Sequence, residues 1–280
     1  MPDIEPIIRR KFSQQDRLAV KEQVSRAVEA DPEHFLAAYR LDSRSFQRRY
    51  VNSDLMKEKF PEYSASKEHR NRYNLPIHNT AAVLAAAQLR AAIADDPVPE
   101  RPNALFLTGV PGAGKTTAVP ANRGQFPQDA RIIYEGQLAD PVYALPRFEA
   151  ALAEGLNIEI MAIHVLSEQA LRNTILRFER EGRRATIEAL ARIQGNLPNG
   201  LKQFYARFGD EIGFTVVDKR YIMDVVRLRG SEALWLLQSG GNYEHIKRKL
   251  TEVLVTQYAA KLITPGAYKQ ALGQASASID

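Results

Sequence analysis

The chain has 280 residues, 45% of them hydrophobic and 25% charged, with a net charge of +5 and no cysteine. That balance belongs to a globular chain long enough for one large domain or two small ones. The lack of cysteine excludes a disulfide framework, a thiol nucleophile and a thiolate metal site, and it suits a reducing compartment. The basic excess is spread along the chain rather than gathered in one block, so nucleic acid is not an expected partner.

In chain order, the opening Met1-Pro2-Asp3-Ile4-Glu5-Pro6 is acidic and interrupted by proline, unlike a signal peptide. Residues 1–95 read as a helical region. Apolar spacings of three and four run through 17–30 and 33–39, and Asp31-Pro32 has the form of a helix start. Phe60-Pro61 and Leu75-Pro76 predict breaks, and 80–93 predicts a further alanine-rich helix. The stretch 81–89 is the longest apolar one. It is too short to span a bilayer, so the expectation is a cytoplasmic protein without membrane attachment. Residues 63–73 mix aromatic and polar side chains and read first as an exposed helix, second as a substrate or partner surface. The proline-rich joint at 95–102 is the best domain boundary.

Residues 103–220 alternate strand and helix, which predicts an α/β fold with a parallel sheet covered by helices on both faces. Strands are expected at 104–107, 131–135, 158–165 and 214–218. Helices are expected from Lys115 to a stop at Pro120, and at 147–154, 168–181, 187–193 and 201–208. The first strand runs into Gly109-Val110-Pro111-Gly112-Ala113-Gly114-Lys115-Thr116, a full G-x-x-x-x-G-K-[ST] phosphate loop, with Thr117 as a second hydroxyl. Glycines let backbone N–H groups close around phosphate oxygens. A lysine at position 115 reaches the outer phosphates, and the Thr116 hydroxyl can serve Mg²⁺. ATP and Mg²⁺ are therefore the expected cofactors, with a P-loop kinase-like core. Residues 221–280 return to helix. Ile246, Leu250, Val253 and Leu254 sit at helical spacing there, for core packing first and partner binding second.

The ordered segments after the loop resemble the zeta-toxin family of P-loop kinases. They are Tyr134-Glu135-Gly136, Thr174-Ile175-Leu176-Arg177-Phe178-Glu179, Arg184-Ala185-Thr186 and Leu197-Pro198-Asn199-Gly200-Leu201. The resemblance covers roughly 103–220 and implies a kinase that phosphorylates a hydroxyl of a nucleotide-linked metabolite. Known members act on a UDP-linked aminosugar, and a plant-pathogen effector relative acts on NAD. It also implies a toxin or effector role with a neutralising antitoxin or other partner protein. Arg177 and Arg184 match the family's phosphate-contacting arginines, with Arg183 as the rival of Arg184, and Arg220 matches a position near the nucleotide base.

One stretch departs from that pattern. Family members place an Asp-x-Asp strand, which supplies the base, shortly after the loop. Here the short stretch 117–134 alone separates Thr116 from Glu135, so that strand is missing or merged. Glu135, at the carboxyl end of its strand, is then the first candidate for the Mg²⁺ shell, the acceptor hydroxyl or the general base. Asp140 is the second, although Asp-Pro also reads as a helix start. His164 reads as a core histidine. A nucleotide-dependent switch or binding module that has lost its acceptor site is the alternative to a kinase.

Overall fold

The computed structural model describes residues 4–94, 100–118, 127–221, 226–238 and 240–274. Part of the proline-rich joint, Pro120 and the side chain of Thr117 lie outside the described residues. The helices are α1 (Gln15–Ala30), α2 (Pro32–Arg40), α3 (Ser53–Lys57), α4 (Pro61–Ser64), α5 (Lys67–Ile93), α6 (Lys115–Ala118), α7 (Leu145–Ala153), α8 (Ser167–Glu181), α9 (Ile187–Phe208), α10 (Ser231–Gln238), α11 (Tyr243–Ala259) and α12 (Pro265–Ala271). The strands are β1 (Tyr50–Asn52), β2 (Asn103–Thr108), β3 (Ala130–Glu135), β4 (Asn157–His164), β5 (Ile212–Asp218) and β6 (Val226–Arg229).

The strands form one sheet in the order β1-β3-β2-β4-β5-β6. All neighbours are parallel except β5 and β6. Two cores sandwich it. β4 shows why: Ile158, Ile160 and Ala162 join one core, while Ile163 joins the other, following the period-two alternation of a strand. One core centres on stacked rings, with Phe106 and Phe148 centroids 3.9 Å apart and Phe204 4.6 Å beyond. The other gathers α1, α5, α8, α9 and α11, where Ile246, Leu250 and Leu254 are fully buried. The fold is thus α/β, P-loop kinase-like, with helices on both faces and helical additions at both ends.

Four sequence expectations change. The 1–95 region is not wholly helical, because Tyr50-Val51-Asn52 forms the outer parallel strand. The 221–280 region is not wholly helical either, because β6 adds an antiparallel edge. Pro76 breaks nothing and lies inside the 27-residue α5. A proline in a helix interior costs about 3 kcal/mol. Burying one large aliphatic side chain yields about 1.5–3 kcal/mol, and α5 buries Ile77, Val83, Leu84, Leu89 and Ile93. Pro198 is likewise held inside a continuous α9 in place of two separate helices. A Cβ on Gly200 would sit 2.1 Å from the Leu138 carbonyl oxygen, a sign of how tightly α9 is pressed onto the segment after β3.

Register aligns the carboxyl ends of the strands. Asn52 stands opposite Glu135, Leu107 opposite Glu135 on the other side, Thr108 opposite Ala162, and His164 opposite Asp218. In doubly wound sheets this edge is where ligands bind.

Candidate active site

The phosphate loop leaves β2 at this edge. Gly109, Gly112 and Gly114 all have positive φ, and the Ala113 amide closes a turn onto Val110 O at 3.1 Å. At Gly112 the requirement is doubled: φ is +80° and a Cβ would meet Ala170 O at 2.5 Å. Asn173 Nδ2 donates to Gly112 O at 2.8 Å, so α8 holds the crest of the loop. Lys115 Nζ donates to Gly109 O at 2.9 Å and Val110 O at 3.1 Å, and lies 3.7 Å from Glu135 Oε1. Burial lowers its pKa, against the charges of Glu135 and Asp54.

Glu135 ends β3 as expected and faces the loop lysine. Its second oxygen, Oε2, accepts from Tyr50 Oη at 2.6 Å and from Asn52 Nδ2 at 2.7 Å. Both donors come from β1, which the register sets beside the end of β3. The Tyr50 hydroxyl also contacts the Thr116 side chain. Burial, then the Glu135 charge, pushes the Tyr50 phenol far above its ordinary value, so it stays protonated and donates.

Past Asn52 the chain turns into α3. The Asn52 side-chain oxygen caps that helix, accepting from Asp54 N at 2.7 Å and Leu55 N at 3.1 Å. This sets Asp54 where charges converge. Its carboxylate lies 3.0 Å from Lys57 Nζ, 2.8 Å from Arg183 and 3.5 Å from Arg177. Burial works against its charge, but Lys57, Arg183 and Arg177 outweigh it and hold the carboxyl well below the usual range. Lys57 itself is buried and also donates to Asn74 Oδ1 at 2.8 Å.

Arg183 and Arg184, rivals in the sequence, take different places. Helix α8 does not continue through Gly182, which adopts φ +73° and caps it. A Cβ on Gly182 would lie 2.0 Å from Lys67 O, so the turn is pressed against the start of α5. The chain therefore swings Arg183 onto Asp54. Arg184 points elsewhere: it is half-buried, its pKa is lowered by burial and then by Arg17 of α1. Arg180 is exposed beside Glu181. Arg177 also forms an ion pair with Glu181 at 3.4 Å.

Asp140 is not brought to the site. It is exposed and caps the turn after it, accepting from Val142 N at 3.2 Å. Arg220 sits at the end of β5, held by Asp218 through Nε at 3.1 Å and Nη2 at 2.9 Å, with its guanidinium over the Tyr221 ring. The neighbouring Lys219 reaches Gly114 O at 3.4 Å, a link to the loop that the sequence did not single out. His164 is buried as expected. The stretch 63–73 is exposed only in part: Ala65, Glu68 and Arg72 are exposed, whereas Tyr63 is fully buried beside Arg183 and Asn71 is buried.

Among the described residues no group of three or more His, Asp or Glu side chains forms a metal cage. A phosphate-bound Mg²⁺ needs none, because it keeps waters and takes one or two protein oxygens. Thr116 and Glu135 are such hard-oxygen donors, and one phenol oxygen touches both. The residues present fit that ion. No described helix is long and apolar enough to cross a membrane.

No family model matches the chain, and no curated protein matches it. Among solved structures it is similar to a chain of the AvrRxo1-ORF1:AvrRxo1-ORF2 complex, with 13% identity over 67% of this chain and 80% of that one, at a TM-score of 0.39. It is also similar to a chain of the PezAT chromosomal toxin-antitoxin system of Streptococcus pneumoniae, with 14% identity over 60% of this chain and 90% of that one, at a TM-score of 0.38.

Proposed function

We propose that the chain is an ATP- and Mg²⁺-dependent kinase that phosphorylates a hydroxyl of a nucleotide-linked small molecule. The observation that carries this reading is the meeting of Lys115, Arg177 and Arg183 with Glu135 and Asp54 at the carboxyl edge of the sheet. A phosphoryl-transfer transition state spreads charge over equatorial oxygens, and an ammonium and planar guanidinium groups stabilise it. Lys115 and Thr116 would hold the triphosphate. Mg²⁺, when bound, supplies neutralising charge between the outer phosphates. Arg177 and Arg183 would leave Asp54 for the transferred phosphoryl group.

Glu135 has both oxygens committed beside the loop, whereas the Asp54 side chain is 38% exposed and so is open to a ligand. Asp54 is therefore assigned the acceptor proton. The acceptor O–H gives its proton to the Asp54 carboxylate, its oxygen bonds to the γ-phosphorus, and the β–γ bridging bond breaks to release ADP. Asp54 becomes a better base once the arginines move to phosphate, since Lys57 and the two arginines together hold its pKa down.

The test is labelled ATP with a panel of UDP-sugars, NAD and nucleosides, comparing the wild type with Lys115→Ala. A phosphorylated product from the wild type alone is expected. Tight ATP binding with transfer to no panel member, and to none in a metabolite extract, overturns the kinase and leaves a nucleotide-dependent switch. The sequence resemblance extends the proposal to a toxin or effector with a neutralising partner. Expression in bacteria should then arrest growth, and Lys115→Ala should relieve it; equal arrest by both forms removes phosphoryl transfer as the cause.

A further inference from the structure

The strand that precedes the phosphate loop in sequence does more than widen the sheet. We infer that Tyr50 is a positioning residue for the metal–nucleotide complex, acting through its phenol on Glu135 and Thr116. The inference rests on the proposed ATP- and Mg²⁺-dependent reading of the site.

Two features support it. The first is the hydrogen-bond geometry: Tyr50 Oη donates to Glu135 Oε2 at 2.6 Å and receives Asn52 Nδ2 at 3.2 Å, close to the Thr116 side chain. One oxygen thus spans the two side chains that fit a hydrated Mg²⁺, and it offers Glu135 the same kind of O–H donor that a metal-bound water would offer. The second is rigidity. Tyr50 is 6% exposed, its carbonyl accepts the Tyr39 hydroxyl at 2.7 Å, and that same hydroxyl accepts Asn52 N at 3.0 Å. The ring therefore has little freedom to leave, and it orients the carboxylate as outer-shell donors orient metal ligands.

The variant Tyr50→Phe removes one oxygen from a packed ring. Tyr39→Phe is its control, because it removes an equally buried hydroxyl that grips the same strand without touching Glu135. Binding of a fluorescent, non-hydrolysable ATP analogue is followed against Mg²⁺ concentration and, separately, in excess chelator. For Tyr50→Phe the Mg²⁺ concentration at half-maximal binding should rise about tenfold, with chelator-phase affinity and melting temperature close to wild type. For Tyr39→Phe the Mg²⁺ requirement should stay put even if the melting temperature falls. An unchanged requirement in Tyr50→Phe overturns the inference. So does an equal shift in both variants, which would make Tyr50 merely structural. If the wild type itself binds the analogue with no dependence on Mg²⁺, the proposed function falls together with the inference.

Discussion

In the proposed kinase site the donor side and the acceptor side are built in opposite ways. The donor side is centred on one continuous segment: strand β2, the loop 109–116 and the first turn of α6, with the lysine anchored on carbonyls of its own loop. The acceptor side is assembled from chain far apart, with Asp54, set by the Asn52 cap, upstream of the loop and Arg177 and Arg183 downstream. The contiguous part carries its geometry in residue type, because positive φ at three glycines is a local demand. The assembled part depends on β1 pairing with β3 and on Gly182 folding against Lys67, which are tertiary events. The two sides can be broken separately, and variants in each should fail in different ways.

The largest effect is expected on the donor side. Lys115→Ala should cut phosphoryl transfer by about a thousandfold or more, since it removes the one ammonium placed for the outer phosphates. Nucleotide affinity, read by calorimetry, should fall with it. On the acceptor side, Asp54→Asn keeps the side-chain volume and should lower turnover by roughly 10²–10⁴-fold, the range of a general base. Its KM for ATP should stay near wild type. A large loss of ATP affinity instead would place Asp54 on the donor side and erase the distinction.

The arginines give the next step down. Arg183→Ala should reduce turnover on the order of a hundredfold, as for one lost donor to developing charge, whereas Arg184→Ala should leave it near wild type. Sequence matching favours Arg184; geometry favours Arg183, 2.8 Å from Asp54. Equal losses in both variants would return the choice to the sequence.

This contrast explains what could be read in advance. The four central strands, the loop and most helices follow from period-two and helical spacing, and the structure has them within a few residues of the expected ends. The place of Glu135 was legible because it closes β3, and Arg177 was singled out because its segment resembles the family's. β1 was not legible. Three residues are too few for an alternating pattern, and Asn52-Ser53-Asp54 reads equally as the start of a helix, which it also is. The stretch 117–134 looked like the site of a missing strand, yet the sheet edge beyond β3 is filled from upstream, and only pairing reveals it. Pro76 and Pro198 misled because local propensity lost to burial.

Acid offers the gentlest way to compare the halves, since each contains a histidine that its surroundings hold neutral, His164 buried and His78 half-buried. His164 ends β4 beside Asp218 and Arg220 on the donor side. His78 lies on α5 near Lys57 and Asp54 on the acceptor side. Burial lowers both pKa values from 6.5 to about 4. Each ring is therefore neutral when folded, and the unfolded chain takes up protons first as the pH falls. The stability that this contributes is whole above about pH 6.5 and is lost on the way down through pH 4. For His164, which is 6% exposed, the full loss is roughly 3 kcal/mol. Urea unfolding at pH 7, 5.5 and 4.5 should show falling stability in the wild type, a shallower fall in His164→Gln and in His78→Gln, and the shallowest in the double variant. If only one single variant flattens the curve, the acid-sensitive charge lies in that half alone. Below pH 4 part of the remaining slope should belong to Asp54, one of several carboxylates, Asp42 and Asp218 among them, that the folded chain holds below their usual range, and Asp54→Asn should remove that part.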